Sequence, residues 1–380
     1  MKHIVSLGHL ISAAEVTRCG NLQLPVLSMT MHDGLVLQKD RFNKVIASKD
    51  LSQYKRVVKN QLVVSFPIDE GVLAVQSIVP CGIVSPAYAI WDIDETKVIP
   101  EYLEIALRSP RSIQYYRTKL KGTTARRRSI SQSDFLAMEF NLPSLKEQNG
   151  ILHILQMIKQ LVSNQNSQLD KLNQLAKSRF IELFGERQYP KYTLIELIEP
   201  DAGLSYGIVQ PGDDGTGDMG VLRPVDLVDG RISTSAIKYV NRSIGDGYQR
   251  TELNGKEILI SVRGTTGITA ITDSRFAGMN VTRGIAVIRF DEKKVNAIFL
   301  NAAINEPASQ AFIQEHTRGA TLKQINLADL RRLPILLPPL ALQNEFAAFI
   351  EELDKSKVTI QKSLDRLNLL YKALLQEYFG

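Results

Sequence analysis

Apolar residues recur in two long stretches of this chain with alternating steps of four and three. Positions 346, 350, 353, 357, 360, 364, 367, 371, 374 and 378 read Phe, Ile, Leu, Lys, Ile, Leu, Leu, Tyr, Leu and Tyr, and only Lys357 is polar. Ile151, Leu155, Ile158, Val162, Gln165, Leu169, Leu172, Ala176, Arg179 and Leu183 follow the same steps with two polar members. That rhythm is the seam of a coiled coil. Each stretch predicts a helix of roughly 35–38 residues, about 50–57 Å long. The prolines of "LPSL" (142–145) and "LPPL" (337–340) precede each stretch, where a missing N–H costs least. Gly185 and Gly380 follow in the C-cap place. A helix with one narrow apolar stripe needs a partner in water, and the other stretch supplies one. Packing of each helix on its own globular part is the alternative; the seam is too narrow and too long to favour it.

Elsewhere the apolar pattern shortens. "QLVVSF", "GVLAVQSIV", "EILISV", "GITAIT" and "GIAVIRF" are Val- and Ile-rich runs between turn residues and predict strands. Single helical stretches are predicted near 100–120 and 296–317.

These patterns occur twice. Asp134 to Gly185 aligns without a gap to Asp329 to Gly380 at an offset of 195 residues, with Leu142/Leu337, Leu145/Leu340, Gln148/Gln343, Leu169/Leu364 and Leu172/Leu367 identical. Upstream, 101–124 lies over 298–321 at an offset of 197, "LVVSFP" (62–67) resembles "ILISVR" (258–263), and "SLGHLI" (6–11) resembles "TLIELI" (193–198). The chain is two copies of one unit, each a sheet-rich α+β globular part followed by a helix. An antiparallel helix pair would place one globular part at each end of a rod, related by a pseudo-twofold. Leu145, Gln148, Ile158, Leu169, Leu172, Leu340, Gln343, Leu353, Leu364 and Leu367 are the candidate coiled-coil and partner-binding positions.

Composition narrows the class. At 380 residues, with 44% hydrophobic and 23% charged residues, the chain suits a globular protein of two or more domains. No apolar run suits a membrane span, no signal peptide is evident, and two cysteines, Cys19 and Cys81, fit a reducing cytoplasm. The net charge of +6 matters less than its distribution. Arg108, Arg111, Arg117, Lys119, Lys121, Arg126, Arg127 and Arg128 fall between Ile105 and Ser133 with no acidic residue among them. With Thr123 and Thr124, the loop "KGTTARRRS" has the donors that phosphates and base edges require. The second copy offers Arg318 and Lys323 there, and Arg263, Thr265, Thr266 and Arg283 in "SVRGTTG" and "NVTRG"; Tyr206 joins them as a DNA-contact candidate. Solvated surface is the plain alternative for any one such run; two equivalent basic Gly-Thr loops argue for nucleic acid.

Catalytic motifs are missing. "GTGDMG" (215–220) matches a dinucleotide-binding pattern but follows "VQPGDD" rather than a strand, and Pro224 opposes a helix after it. No Walker A or adenine-methyltransferase motif occurs, and His3, His9, His32, His153 and His316 lack metal-ligand spacing. The chain reads as a binder.

The repeat, "ILISVRGTTG", "NVTRGIAVIRF" and the "LPxL..Q" helix starts resemble the specificity subunit of type I restriction–modification systems, over essentially the whole chain. The resemblance implies two target recognition domains, residues 1–141 and 186–336, each reading half of a split, asymmetric site in double-stranded DNA. It implies spacer helices at 142–185 and 337–380 that set the gap and dock two methylation subunits. No cofactor is expected on this chain; S-adenosylmethionine, Mg2+ and ATP are expected on methylation and restriction partners, in the cytoplasm, with no catalysis by this subunit. Two departures stand out: Leu342 replaces the Glu147 that precedes Gln148, and Pro86-Ala87 matches Arg283-Gly284, so the two domains are expected to read different sequences. A related system with cutting and methylation fused in its partner, and a coiled-coil scaffold for proteins, are the competing readings.

Overall fold

The computed structural model describes residues 3–31, 33–41, 50–120, 130–185, 188–210, 212, 217–228 and 230–380. Contacts divide the chain into two units: unit 1 holds residues 1–167 and 361–380, and unit 2 holds residues 168–360. The division runs through the middle of both long helices, because each half-helix is buried against a globular part of its own unit.

The internal repeat is visible as matched elements. In unit 1 the strand His3–Ser6 runs antiparallel to Glu139–Leu142 and leads into a 3-10 turn, Leu7–His9. In unit 2 Lys191–Thr193 runs antiparallel to Pro334–Leu336 and leads into Leu194–Leu197. Each unit then builds an antiparallel sheet around one apolar strand. Leu62–Val64 lies between Leu73–Val75 and Ala89–Ile93, with Ile11–Ala13 at the edge. Ile258–Ser261 lies between Thr269–Ile271 and Ile285–Ile288. The registers agree: Val64 faces Ala89, and Ile260 faces Ala286. These strands are Val- and Ile-rich because they are buried, and all four residues of Ile258–Ser261 are. Unit 2 adds a small sheet in which Met219–Leu222 pairs antiparallel with Lys238–Val240 and parallel with Asn280–Val281.

Where one helical stretch was expected per copy, two short helices stand. They are Pro100–Leu107 and Pro110–Lys119 in unit 1, and Ala297–Asn305 and Pro307–Glu315 in unit 2. Proline breaks each stretch by forcing its predecessor into extended backbone: Ser109 has ψ 156° and Glu306 ψ 148°. Burial pushes the Tyr102 phenol on the first of these helices up to about 12.

The long helices are Leu145–Phe184 and Leu340–Phe379, 40 residues each and about 60 Å long. In unit 1 the start of the first packs with the end of the second: Leu152 and Leu155 share a core with Phe379, and Lys159 Nζ lies 5.9 Å from the Tyr371 ring. In unit 2 the end of the first packs with the start of the second, with Phe180 and Phe346 rings 5.4 Å apart and Arg179 bonded to Glu345 at 2.6 Å. The helices are therefore antiparallel within each unit. Every seam position from Ile151 to Leu183 and from Phe346 to Tyr378 is buried or half-buried. Lys357 joins the seam through an ion pair with Asp354 at 3.2 Å. Leu145 is a correction: it is exposed in the first turn, ahead of the point where the seam begins. The glycines after the helices also act differently from the expected cap. Neither has left-handed backbone, and the N–H groups of Gly185 and Gly380 continue the helical bonding to Ile181 and Gln376. A Cβ would lie 2.7 Å from the Ile181 carbonyl oxygen or 2.2 Å from that of Gln376, so the constraint is space.

Gln148 and Gln343 fasten helix to globular part. Gln148 Oε1 accepts from Ile99 N at 2.8 Å, while Nε2 donates to the Lys97 and Pro143 carbonyls. Gln343 repeats the pattern with Asn296 N, Lys294 and Pro338. Both side chains are fully buried, which corrects their assignment as contacts for a partner: their amides are used inside the chain. Ser144 and Glu147 form a capping box at the first helix start, where Ser144 N donates to Glu147 Oε2 at 2.8 Å. The second copy has Pro339 and Leu342 there; Leu342 packs on the unit 2 core instead. The departure at Leu342 thus exchanges a polar cap for apolar packing.

Candidate nucleic-acid interface

Unit 2 gathers its candidates by strand pairing. Arg263, Thr265 and Thr266 follow the central strand, and Arg283 precedes its antiparallel neighbour Ile285–Ile288, so the two turns meet at one end of the sheet. Val262 N donates to the Gly284 carbonyl at 2.8 Å and ties the turns together. The hairpin Thr317–Arg318 and Gln324–Ile325 closes over them. Gly264 N donates to the Lys323 carbonyl at 2.9 Å, and Ile325 N donates to the Val262 carbonyl at 3.1 Å. Gly264 has φ +78°, a conformation that suits glycine at such a turn. Tyr206 bridges Ala286 in the sheet, and its hydroxyl accepts from Leu327 N at 3.3 Å.

Arg263, Thr265, Arg283, Arg318, Lys323 and Tyr206 are thus brought together. Thr265, Arg283, Arg318, Lys323 and Tyr206 are exposed, and Arg263 is half-buried. None of these four cations makes an ion pair among the described residues, whereas Arg223, Arg275 and Arg332 elsewhere in unit 2 pair with Asp226, Asp273 and Asp329. Arg263 Nε is buried without a hydrogen-bond partner among the described residues. A surface of uncompensated guanidinium and ammonium groups on glycine-rich turns suits phosphate and base-edge acceptors. Thr266 is a correction: its side chain is buried and its hydroxyl is shared with Thr317 at 2.9 Å, so it links turn to hairpin rather than facing solvent.

Unit 1 differs at the equivalent place. Lys119 is exposed at the end of its helix, with Nζ 5.9 Å from the Tyr115 ring. Lys121, Thr123, Thr124, Arg126, Arg127 and Arg128 lie outside the described residues. Arg108 is engaged internally, paired with Glu104 at 3.3 Å and donating to the Met31 carbonyl. Phe66 and Pro67 follow the central strand where unit 2 has Val262 and Arg263, and exposed Pro86 and Ala87 replace Arg283 and Gly284. Phe66 is exposed, its ring edge-on to Tyr88 at 6.1 Å. The two units therefore present different chemistry from one topology.

Residues 215 and 216 of "GTGDMG" lie outside the described residues; Met219 and Gly220 begin a strand, and Pro224 starts a three-residue 3-10 turn. His153 is exposed on the first long helix, and His316 stacks on Phe312 at 4.0 Å. Among the described residues no His, Cys, Asp and Glu cluster is placed to hold a metal, and no helix is long and apolar enough to cross a membrane. Sequence reading missed the turn Pro224–Asp226, whose Pro224 lies against Gly284. Its available signal was the spacing of Arg223 and Asp226, three residues apart on either side of a proline.

Outside the seam the long helices leave large apolar side chains exposed: Met157, Leu161 and Leu369 in unit 1, and Leu175, Ile181 and Val358 in unit 2. Ile158, Leu353 and Leu364 are buried in the seam, and Leu169, Leu172, Leu340 and Leu367 are half-buried.

Residues 216–369 match the family described as type I restriction modification DNA specificity domain. The chain is similar to the type I restriction enzyme EcoBI specificity subunit of Escherichia coli, with 26% identity over 190 residues. That alignment spans 49% of this chain and 40% of the relative, so the match covers about two fifths of the curated protein. In fold, it is similar to a chain from a structure on complex assembly and conformational transition of the type I R-M system: 15% identity, TM-score 0.62, 99% of this chain and 97% of that one. The type I restriction-modification S subunit from M. genitalium gives 14% identity and TM-score 0.56, over 100% of this chain and 96% of that one.

Proposed function

We propose that this chain, which carries the DNA specificity domain of type I restriction–modification systems, is the recognition subunit of such a system. Unit 2 reads one half of a split DNA site through Arg263, Arg283, Arg318 and Lys323, and unit 1 reads the other half. The observation that carries this reading is the cationic surface on glycine-rich turns of unit 2, whose four cations make no ion pair among the described residues. Arginine at such a turn is the usual bidentate partner of guanine, and lysine and arginine both neutralise phosphate. The aromatic surface of unit 1 supports an asymmetric site, because two unlike surfaces read unlike sequences.

The long helices serve as the spacer that sets the gap between half-sites. They dock two methylation subunits through Met157, Leu161, Leu175, Ile181, Val358 and Leu369, which are exposed outside the seam. S-adenosylmethionine and base extrusion belong to those partners, and Mg2+ and ATP to restriction subunits. This chain supplies recognition without catalysis, and the complex works in the cytoplasm.

The test is binding of the chain, assembled with its methylation subunit, to duplex DNA across a salt series. Affinity that falls steeply and linearly on logarithmic axes supports the reading. A flat response overturns it and favours a protein scaffold. Sequencing the methylated sites in cells that express the pair identifies the target.

A further inference from the structure

We propose that Val225 is a specificity-determining residue that reads the 5-methyl group of a thymine in the DNA. This rests on the assignment of unit 2 as a DNA-recognition domain. The residue lies outside every motif that suggested DNA binding.

Val225 is 72% exposed and stands on an ordered turn. The turn, Pro224–Asp226, is held from both sides. Arg223 N donates to Asp226 Oδ2 at 2.7 Å, and the guanidinium makes two more bonds to that carboxylate at 3.1 and 3.0 Å. Asp226 is buried, and Arg223 also donates to the Ala236 carbonyl at 2.6 Å. Proline fixes the backbone at the first position. The charge of Arg223 is cancelled by its own turn, so what this platform offers is the valine.

Its location gives the valine a role. A Cβ at Gly284 would lie 2.6 Å from Pro224 Cγ and 3.7 Å from Arg263 Cβ. The turn therefore touches the place where Arg263 and Arg283 meet, and any side chain at 284 would push it away. A rigid apolar group on a turn packed against the one that carries Arg263 and Arg283 matches one feature of the major groove. The thymine methyl is the apolar group on base edges there, flanked by acceptors that arginine reads. Because the turn is already ordered, little conformational freedom is lost on contact.

The test uses the full chain with its methylation subunit and the target found from methylated sites. Uracil replaces each thymine of the half-site read by unit 2, one at a time, which removes only the methyl group. The wild type is expected to lose about fourfold in affinity at one position, the worth of one buried methyl. Val225→Ala is expected to bind the thymine site about fourfold more weakly and to show no further loss with uracil. Val225→Ile is expected to keep the sensitivity. An unchanged melting temperature shows that Val225→Ala still folds, as its exposure predicts. The inference is overturned if no uracil position matters, if Val225→Ala keeps the wild-type ratio, or if that half-site has no thymine. Loss of the steep salt response in the wild type would instead overturn the assignment of unit 2.

Discussion

Gln148 and Gln343 show how much one buried amide can organise. Each saturates a backbone donor and two carbonyls that the helix start and the adjoining loop would otherwise leave unpaired in the core. Gln148→Leu removes three bonds and strands those groups, so it should cost about 1–3 kcal/mol. Trp91, the single tryptophan, is buried in unit 1, so its fluorescence during urea unfolding reads that loss. Arg283 is the opposite case, with no ion-pair partner for its side chain among the described residues. Arg283→Ala should leave folding intact, weaken DNA binding, and reduce the salt slope by about 0.9 if the contact is to a phosphate. Arg275→Ala is the control: its guanidinium is already paired with Asp273 at 2.6 Å, and DNA affinity should not move.

Among the elements, the long helices carry the clearest link from pattern to packing. Their four-three rhythm assigned every seam position to the buried side, and two of the three polar exceptions are accommodated locally, Lys357 by Asp354 and Arg179 by Glu345 and Glu182, while Gln165 Oε1 is buried without a hydrogen-bond partner among the described residues. A proline in the seam removes one helical hydrogen bond and clashes with the preceding turn, at a cost of about 3 kcal/mol or more. Leu364→Pro should therefore abolish capture of the methylation subunit in a pull-down and lower the helical circular dichroism signal. Trp91 shares its core with Phe379 at the far end of that helix, so its fluorescence reports whether the unit 1 core survives the change. Retained capture would mean that the helices are not the docking element. The short paired helices teach the complementary lesson. Pro110 and Pro307 were visible, but helical composition on both sides concealed that each begins a new helix.

For the whole molecule, the repeat makes a modular prediction. Replacing residues 1–141 with the corresponding domain of another such protein should change one half of the methylated site and leave the other half intact, as read by sequencing of modified bases. A change in both halves, or in neither, would show that the units do not read separately. The two-copy organisation, the helix seam, the central strands and the basic glycine-rich segments were legible in the sequence. They depend on short-range periodicity and on an offset that aligns one copy with the other. Their assembly was not. Arg263, Arg283 and Lys323 are far apart in the chain and meet because antiparallel pairing sets the end of one strand beside the start of the next. Thr266 looks like its neighbour Thr265 in sequence, but the hairpin that closes over it removes it from solvent. Val225 carries no motif at all; only the fold places its clamped turn against Gly284. Periodicity determined which faces are buried, since burial follows local geometry. Tertiary structure decided which exposed groups stand together, since that depends on pairings between distant segments.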